Sequence, residues 1–300
     1  MGSNGFDGGG VLAGGSTKLF KFFAIFLLSL VVAGCNTTSV LRATPFDIPS
    51  QRFAAIVVDE SSGKVLYQAR ADATRFPASL TKMMTMYMAF EALQAGKISK
   101  NTQIPISRAA SRQPASKLYL KEGSTISVDE ALTALAVKSA NDVAYAMAEF
   151  LGGSEANFAR QMTAKARGLG LKSTTFRNAS GLPDRKQVTT ARDMANLGLI
   201  LRRQYPQYFH YFKKNSMVFR GKTVRGHNRV LSQLNGADGI KTGYTRASGF
   251  NLVTSAQTPR GRLVGVILGE NTSRIRDKHM IQLFKKYGKK SRSAAVVEPK

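Results

Sequence analysis

Two side chains that could act together as nucleophile and base lie at the start of one apolar segment. Ser79 and Lys82 are three residues apart, and Met83 follows as the first residue of a long apolar run. Residues spaced by three share one face of a helix, so the hydroxyl and the amine would meet in one small volume. A serine beside an amine can attack a carbonyl, provided that the amine is neutral. This pairing predicts an active site at residues 79–82.

The Ser-x-x-Lys spacing is weak evidence by itself. Ser61 and Lys64 show the same spacing, in a segment whose composition predicts a hairpin turn. Ser79 differs because Pro77 precedes it and a helix-forming run follows, which predicts a helix N-terminus with free N–H groups. A serine at such a position can also be an ordinary N-cap. The pair alone therefore leaves nucleophile and N-cap open.

Two later motifs favour the nucleophile. Ser139 and Asn141 interrupt a predicted helix, where a hydroxyl and an amide have little reason to be unless they face a site. Ser99 and Asn101 repeat that spacing, but in a turn that follows a helix. Residues 241–243 form the only Lys-[Ser/Thr]-Gly of the chain, on a predicted strand. Each motif has an ordinary interpretation as surface or turn, yet the ordered set is far less expected by chance.

The ordered set resembles the three motifs of the serine penicillin-binding proteins and β-lactamases. The flanking segments are most similar to the low-molecular-mass D-alanyl-D-alanine carboxypeptidases, and they read PASLTKMMT, VKSANDVA, NASGLPD and DGIKTGYT. The resemblance covers roughly residues 50–287. It implies an enzyme that trims the D-Ala-D-Ala end of a peptidoglycan stem peptide and is acylated by β-lactam antibiotics. It implies no metal and no cofactor.

The resemblance also implies roles for individual residues. Ser79 would attack the penultimate D-Ala carbonyl, Lys82 would be its base, Ser139 would relay a proton to the leaving amine, and Asn141 would hold a substrate amide. The N–H groups of Ser79 and Tyr244 would form the oxyanion hole. The implied substrate-binding residues are Lys241, Thr242, Gly243, Tyr244 and Arg276.

Two cations, an arginine and Lys241, would act on the substrate carboxylate and on Lys82. Thr242 and an arginine would receive the terminal carboxylate; alignment favours Arg276, and Arg274 is close enough in sequence to compete. An arginine in this amphipathic segment can also be merely solvated. If the Lys241 ammonium lay about 4 Å from Lys82, it would repel a second ammonium by ~4 kcal/mol at an effective dielectric constant near 20. That equals about three pKa units, enough to bring Lys82 towards neutrality.

The chain departs from relatives at two places and lacks one β-lactamase feature. Tyr244 replaces a basic residue of some relatives, and His227 stands near where others have arginine, so the preference for the substrate tail stays open. Class A β-lactamases hydrolyse their acyl-enzyme with a loop glutamate. Between Asn141 and Lys241 the only glutamates are Glu149 and Glu155, and none lies in residues 168–187. We therefore expect slow release of penicillin; a DD-endopeptidase and a serine β-lactamase are the alternatives.

The charge and the N-terminus indicate where the protein works. A formal charge of +26 suggests an anionic partner, and nucleic acid is the first candidate by charge alone. However, Lys18 and Lys21 precede a short apolar run at residues 22–33, which is typical of an export signal. The basic runs also lack interleaved aromatic residues. We expect no nucleic acid, and instead an anionic membrane or cell-envelope surface in the periplasm; a non-enzymatic wall-binding module is a third alternative.

Cys35 is the only cysteine, which excludes an intramolecular disulfide. Its context, Val-Ala-Gly-Cys, resembles a lipoprotein box, so residues 1–35 are predicted to be a leader with Cys35 lipidated. One acyl chain binds a membrane only marginally, and a basic surface would supply the second attraction. Ordinary signal cleavage nearby is the alternative. The chain ends soon after its last predicted helix, so we expect neither the second domain nor the C-terminal anchor of many relatives.

The elements that must position these residues predict one α+β domain. Residues 36–50 are aperiodic and proline-containing, which predicts a linker before a catalytic domain at 51–288 and a basic tail at 289–300. A hairpin at 52–69, a long helical middle and later strands at 216–268 predict an antiparallel sheet formed from both chain ends. Helices should cover its faces, with an inserted, mainly helical subdomain, as in the DD-peptidase/β-lactamase fold. A helix at 79–95 should be buried, because it is apolar nearly all round.

Overall fold

The computed structural model describes residues 51–289, and its elements follow from the local sequence. β-Branched runs form strands, and polar capping residues start helices. The strands are β1 Ala54–Asp59, β2 Val65–Ala69, β3 Gln103–Pro105, β4 Thr125–Ser127, β5 Ser216–Phe219, β6 Lys222–Arg225, β7 Ala237–Thr245, β8 Gly249–Thr258 and β9 Gly261–Glu270. The helices are α1 Lys82–Gln94, α2 Arg108–Ser111, α3 Val128–Val137, α4 Asn141–Gly152, α5 Glu155–Gly168, α6 Ala191–Gln204, α7 His210–Lys213, α8 Val230–Gln233 and α9 Ser273–Tyr287, with 3-10 turns at Ala78–Thr81 and Pro206–Tyr208.

The main sheet joins the two ends of the described chain. Its strand order is β2-β1-β9-β8-β7, and every neighbouring pair is antiparallel. β1 therefore lies between its own hairpin partner, β2, and β9, the last strand within residues 51–289. The predicted α+β architecture, with a sheet built from both ends, is confirmed.

Both faces of this sheet are buried, because alternate residues of its central strands enter two different cores. On β1, Ala54, Ile56 and Val58 pack into one core, whereas Ala55 and Val57 pack into the other. The second core is closed by apolar residues of α9, namely Met280, Leu283 and Phe284. α6 lies against the opposite face, where a Cβ on Gly198 would come within 3.5 Å of the side chains of Ile240, Val253 and Val264. A glycine there lets the helix approach the sheet.

A helical body packs beside the sheet and contains α1. Met83, Met84, Met86 and Phe90 of α1 have no exposed surface, which confirms that this apolar helix is buried. Burying each such side chain stabilises the fold by roughly 1.5–3 kcal/mol relative to leaving it in water. The predicted capping box that starts α3 is also confirmed, since Ser127 and Glu130 bond each other's backbone N–H.

Two further features complete the fold. Residues 216–224, predicted as strand, form the hairpin of β5 and β6, which turns at Arg220-Gly221. Within residues 51–289, no helix combines the length and the apolar character that crossing a membrane requires.

Candidate active site

Ser79 lies in the 3-10 turn that leads into α1, and two glycines let this turn come close to its neighbours. A Cβ on Gly181 would lie 1.9 Å from the carbonyl oxygen of Ala78, and a Cβ on Gly243 would lie 3.0 Å from the Ser79 nitrogen. Real Cβ contacts do not reach the first distance, and the second leaves little room. The N-caps of this turn and of α1 are Pro77 and Thr81, so the N-cap interpretation of Ser79 is wrong.

Lys82 lies beside Ser79 and has two firm acceptors. Its Nζ donates to Asn141 Oδ1 at 2.8 Å and to the Ser180 carbonyl at 2.5 Å, and Ser79 Oγ is 3.4 Å away. A neutral amine has two N–H donors and one lone pair. With both donors engaged, the lone pair of a neutral Lys82 faces the Ser79 hydroxyl. The arrangement suits an amine that removes the serine proton.

The surroundings favour the neutral form of Lys82. Burial lowers its pKa well below the usual 10.5, and the charge of Lys241 lowers it further, while Asp142 and Glu155 act in the opposite direction. From the sequence alone, Lys241 was expected to lower the pKa of Lys82 most. Burial is the larger cause, because a fully buried ammonium loses its hydration shell.

Lys241 is itself nearly free of solvent contact, at 1% exposure. Its Nζ donates to the Thr242 carbonyl at 3.0 Å. Burial, followed by repulsion from Arg276, lowers the pKa of Lys241 to about 7. Its positive charge is therefore only partly present at neutral pH, which weakens its repulsion of Lys82.

Ser139 and Asn141 lie at the break between α3 and α4. Ser139 has φ of +61°, a left-handed conformation that costs a non-glycine residue roughly 1–3 kcal/mol. Its Oγ is buried and has no hydrogen-bond partner among the described residues. Asn141 donates from Nδ2 to the Pro114 carbonyl at 2.9 Å, which fixes its Oδ1 towards Lys82. The break thus presents one unpaired hydroxyl and one oriented amide.

A cleft of about 510 Å³ opens above these groups. Its lining includes Ser79, Ser139, Asn141, His227, Arg229, Thr242, Gly243, Tyr244 and Arg276. Arg276 is only 3% exposed, so the solvated position considered from the sequence is wrong. It donates to Asp277 at 2.6 and 2.9 Å. Arg274 is exposed and lines neighbouring grooves instead of this cleft.

Sequence reasoning missed several buried polar residues that hold the site from behind. Asp142 accepts bonds from the backbone N–H groups of Leu118 and Leu120 and so ties down the loop over the cleft. Asn251 on β8 donates to the Phe76 and Pro77 carbonyls just before the nucleophile. The sequence offered only the presence of an asparagine within a predicted apolar strand; its full burial, and hence its need for partners, is seen in the structure alone.

In the sequence, Glu155 lies outside the loop at residues 168–187. In the structure, its carboxylate reaches that loop from α5 and accepts a bond from the Ala179 N–H at 3.1 Å. The loop thus carries no glutamate of its own but is contacted by one. Cys35 and the predicted leader and linker lie outside the described residues.

A known protein family matches this chain over most of its length. The family model described as Peptidase S11, D-alanyl-D-alanine carboxypeptidase, matches residues 40–272. The D-alanyl-D-alanine carboxypeptidase DacC of Escherichia coli (strain K12) is 39% identical over 231 residues, which cover 74% of this chain and 58% of that protein. The chain therefore spans less than two thirds of the length of this relative.

Solved structures agree with the fold. Penicillin binding protein 5 from Haemophilus influenzae superposes with a TM-score of 0.76 at 34% identity, covering 81% of this chain and 72% of that one. Penicillin-Binding Protein D2 from Listeria monocytogenes, solved in an ampicillin bound form, superposes with a TM-score of 0.70 at 29% identity. The superposition covers 78% of this chain and 96% of that one. The predicted DD-peptidase fold class is confirmed. By both sequence and fold, the chain belongs to the peptidase S11 family of D-alanyl-D-alanine carboxypeptidases.

Proposed function

We propose that this protein is a serine-type D-Ala-D-Ala carboxypeptidase, which removes the terminal D-Ala of a peptidoglycan pentapeptide through an acyl-enzyme on Ser79. The single observation that supports this most is the position of Lys82 Nζ. It is 2.8 Å from Asn141 Oδ1, 2.5 Å from the Ser180 carbonyl and 3.4 Å from Ser79 Oγ, in a cleft that a peptide end can enter.

Acylation begins when Ser79 Oγ bonds to the carbonyl carbon of the penultimate D-Ala and passes its proton to neutral Lys82. The oxyanion that forms is stabilised by the N–H groups of Ser79 and Tyr244, whose strand passes close to the nucleophile at Gly243. The amide C–N bond then breaks. The leaving D-Ala nitrogen takes the proton that Lys82 received, relayed through the Ser139 hydroxyl, which is buried without a partner among the described residues and lines the cleft.

Substrate orientation depends on the opposite wall of the cleft. Thr242 and the guanidinium of Arg276 receive the terminal carboxylate, and Lys241 adds positive charge beneath it. Asn141 holds a backbone amide of the peptide. A buried arginine binds a carboxylate strongly because neither partner is well hydrated there. Water then hydrolyses the ester on Ser79 and releases the shortened peptide.

A β-lactam ring is attacked by the same serine, and we propose that its acyl-enzyme hydrolyses slowly. Residues 168–187 carry no glutamate to activate water, unlike the loop of a class A β-lactamase. The ampicillin bound form of the Listeria protein supports penicillin as a ligand of this fold.

The experiment that tests the function has two substrates. Purified protein is incubated with a muropeptide pentapeptide and with a cross-linked dimer, and the products are separated by chromatography. Release of one D-Ala per pentapeptide supports the carboxypeptidase, whereas splitting of the dimer with an intact pentapeptide indicates an endopeptidase. A fluorescent penicillin should label the protein one to one; many turnovers per second would indicate a β-lactamase.

The location is a proposal of its own. We propose that the protein is exported to the periplasm and anchored in a membrane through lipidated Cys35. The basic catalytic domain, residues 51–288, and the basic tail, residues 289–300, would also be attracted to an anionic envelope surface. The formal charge of the whole chain, +26, supports this electrostatic attraction. Metabolic palmitate labelling and membrane fractionation of the Cys35→Ala protein test it. A wild-type protein that takes up no palmitate, together with a Cys35→Ala protein that stays in the membrane fraction, would exclude the lipid anchor.

A further inference from the structure

Glu155 has a side chain whose placement its own helix does not require. It is the first residue of α5, but the N-cap role belongs to Ser154, whose hydroxyl accepts the N–H of Asn157 at 3.2 Å. The Glu155 carboxylate instead leaves the helix and accepts the N–H of Ala179, 24 residues further along the chain. It is partly buried, and burial raises its pKa above the usual range. Placing a carboxylate there therefore costs free energy.

The segment that Glu155 holds is the one that contacts Lys82. The Ser180 carbonyl accepts a bond from Lys82 Nζ, and the preceding carbonyl, of Ala179, accepts one from Thr85 Oγ1 at 2.7 Å. Lys82 and Thr85 both belong to α1. Ala179 is thus fixed through its N–H by α5 and through its carbonyl by α1. These two bonds fix the backbone on both sides of Ala179, immediately before the residue whose carbonyl Lys82 contacts, Ser180.

The other side of the turn is closed by its own residues. Asn178 Oδ1 accepts the N–H groups of Ser180 and Gly181 at 3.3 and 2.8 Å. Gly181 has φ of +86° and passes against Ala78, next to the nucleophile. A small rotation at Ala179 would therefore move the Ser180 carbonyl relative to both Lys82 and Ser79.

We propose that Glu155 is a positioning residue of the reaction: through Ala179 it holds the Ser180 carbonyl against Lys82, and so directs the lysine lone pair at Ser79. The inference rests on the proposed function. The second acceptor of Lys82, Asn141 Oδ1, cannot do this alone, because one fixed N–H bond leaves the amine free to rotate about it. Two fixed acceptors leave one orientation.

Glu155 also contributes charge. The charged groups that act on Lys82 are Lys241, which disfavours its ammonium form, and Asp142 and Glu155, which favour it. Replacing Glu155 by glutamine keeps an acceptor oxygen for the Ala179 N–H and removes the charge. The pKa of Lys82 should then fall, and the acid limb of the acylation rate should move to lower pH.

Three variants separate positioning from simple structural support: Glu155→Ala, Glu155→Gln and the control Glu149→Ala. Glu149 is the other glutamate between the second and third motifs, and its carboxylate bonds Ser107 instead of the loop. The measurements are the rate of acylation by a fluorescent penicillin as a function of pH, and the melting temperature. We expect Glu155→Ala to acylate about 10- to 100-fold more slowly, the loss typical of a misplaced reacting group.

Glu155→Gln should recover most of that rate, with its acid limb at lower pH. The acylation rate of Glu149→Ala should lie within about twofold of the wild-type rate, and the acid limb of its pH profile should stay where it is in wild type. The inference is overturned if Glu155→Ala matches wild type, if Glu149→Ala loses as much, or if Glu155→Gln acylates as slowly as Glu155→Ala. A wild type that is never labelled would refute the proposed function instead. An NMR spectrum of the Lys82 ε-carbon then decides the inference, since an unchanged chemical shift in Glu155→Ala would show that the lysine keeps its place and would overturn it.

Discussion

The floor and the rim of the cleft are held in different ways. The floor consists of Lys82, Asn141 and Lys241, each at most 5% exposed and each hydrogen-bonded to fixed protein atoms. The rim consists of Arg229 and Tyr244, both exposed; Tyr244 is 55% exposed and is supported by the stacked ring of Phe250 at 4.2 Å. The floor therefore has one arrangement, whereas the rim can adapt to what enters.

This difference between floor and rim indicates that the floor sets the reactivity of the site, whereas the rim influences which substrate is preferred. A buried amine becomes a base because water no longer stabilises its ammonium form, and that effect needs a closed floor. An exposed side chain contributes little to such tuning, but it meets the parts of a substrate that lie outside the reacting bond. Substitutions in the floor should change the rate of acylation strongly, and substitutions in the rim should change substrate preference weakly.

The largest effect is expected at Ser79, the nucleophile next to Lys82 of the floor. Ser79→Ala should abolish penicillin labelling and lower D-Ala release by about a million-fold, the loss seen when a catalytic serine is removed. The matched control is Ser61→Ala, which alters the other Ser-x-x-Lys of the chain. Ser61 donates to Asp59 in the hairpin turn, so this variant should keep full activity. Trimming of pentapeptide by Ser79→Ala at the wild-type rate would contradict the assignment of the nucleophile.

Lys241→Met should lower acylation by roughly a hundred- to a thousand-fold, as for loss of one electrostatic group in an active site. It should also stabilise the protein at neutral pH. The pKa of Lys241 falls from the usual 10.5 to about 7 on folding, so the unfolded chain binds more protons between these values and the wild-type unfolding free energy rises with pH there. At about 1.4 kcal/mol per pKa unit, the penalty below pH 7 is at most about 5 kcal/mol.

Chemical denaturation at pH 6, 8 and 10 measures this. The wild type should gain stability relative to Lys241→Met as the pH rises through that window. If the unfolding free energies of the two proteins changed with pH in parallel, Lys241 would have its usual pKa in the folded protein. Lys82 also contributes to the difference, because the charge of Lys241 lowers its pKa in the wild type and is absent from Lys241→Met, so the comparison measures the two coupled lysines together.

Arg276 tests the boundary between floor and rim. Arg276→Gln should reduce the preference for a D-Ala-D-Ala acid over its C-terminal amide by about 10- to 100-fold, because one charged hydrogen bond is worth roughly 1.5–3 kcal/mol. Asp277 loses its buried partner, so the melting temperature should fall as well. The control is Arg274→Gln, on the exposed side of α9, which should leave the preference unchanged. If both variants lost this preference equally, the substrate carboxylate would be attracted by the basic surface in general and not by Arg276 in particular.

The floor was predictable from the sequence and its supports were not. Ser79, Lys82, Asn141 and Lys241 belong to short motifs, and their local spacing carries their meaning. Glu155 acts on a residue 24 positions away, and Asn251 bonds backbone 174 and 175 positions away. Such pairings depend on how helices and strands pack. The sheet was predictable for the opposite reason, because short runs of β-branched and apolar residues bounded by turn residues indicate strands from local sequence alone.

The burial of Arg276 shows the same limit. A single amphipathic pattern indicated a helix but not how deeply one of its cations would lie. Its burial follows from contact with Asn251 on β8, whose carbonyl accepts from the guanidinium at 3.3 Å, and from the ion pair with Asp277. Neither contact has a sequence signal of its own.

The smallest effect is expected on the rim. Tyr244→Ala removes the exposed ring that stacks on Phe250, and should raise KM for a pentapeptide by about two- to tenfold, the worth of one aromatic contact. Acylation by penicillin should change less, because the proposed oxyanion donor at this position is the backbone N–H, which alanine retains. Tyr244→Phe is the matched control and should behave as wild type, since it keeps the stacked ring. If Tyr244→Ala slowed acylation as much as Lys241→Met does, the rim would have to be counted as part of the floor.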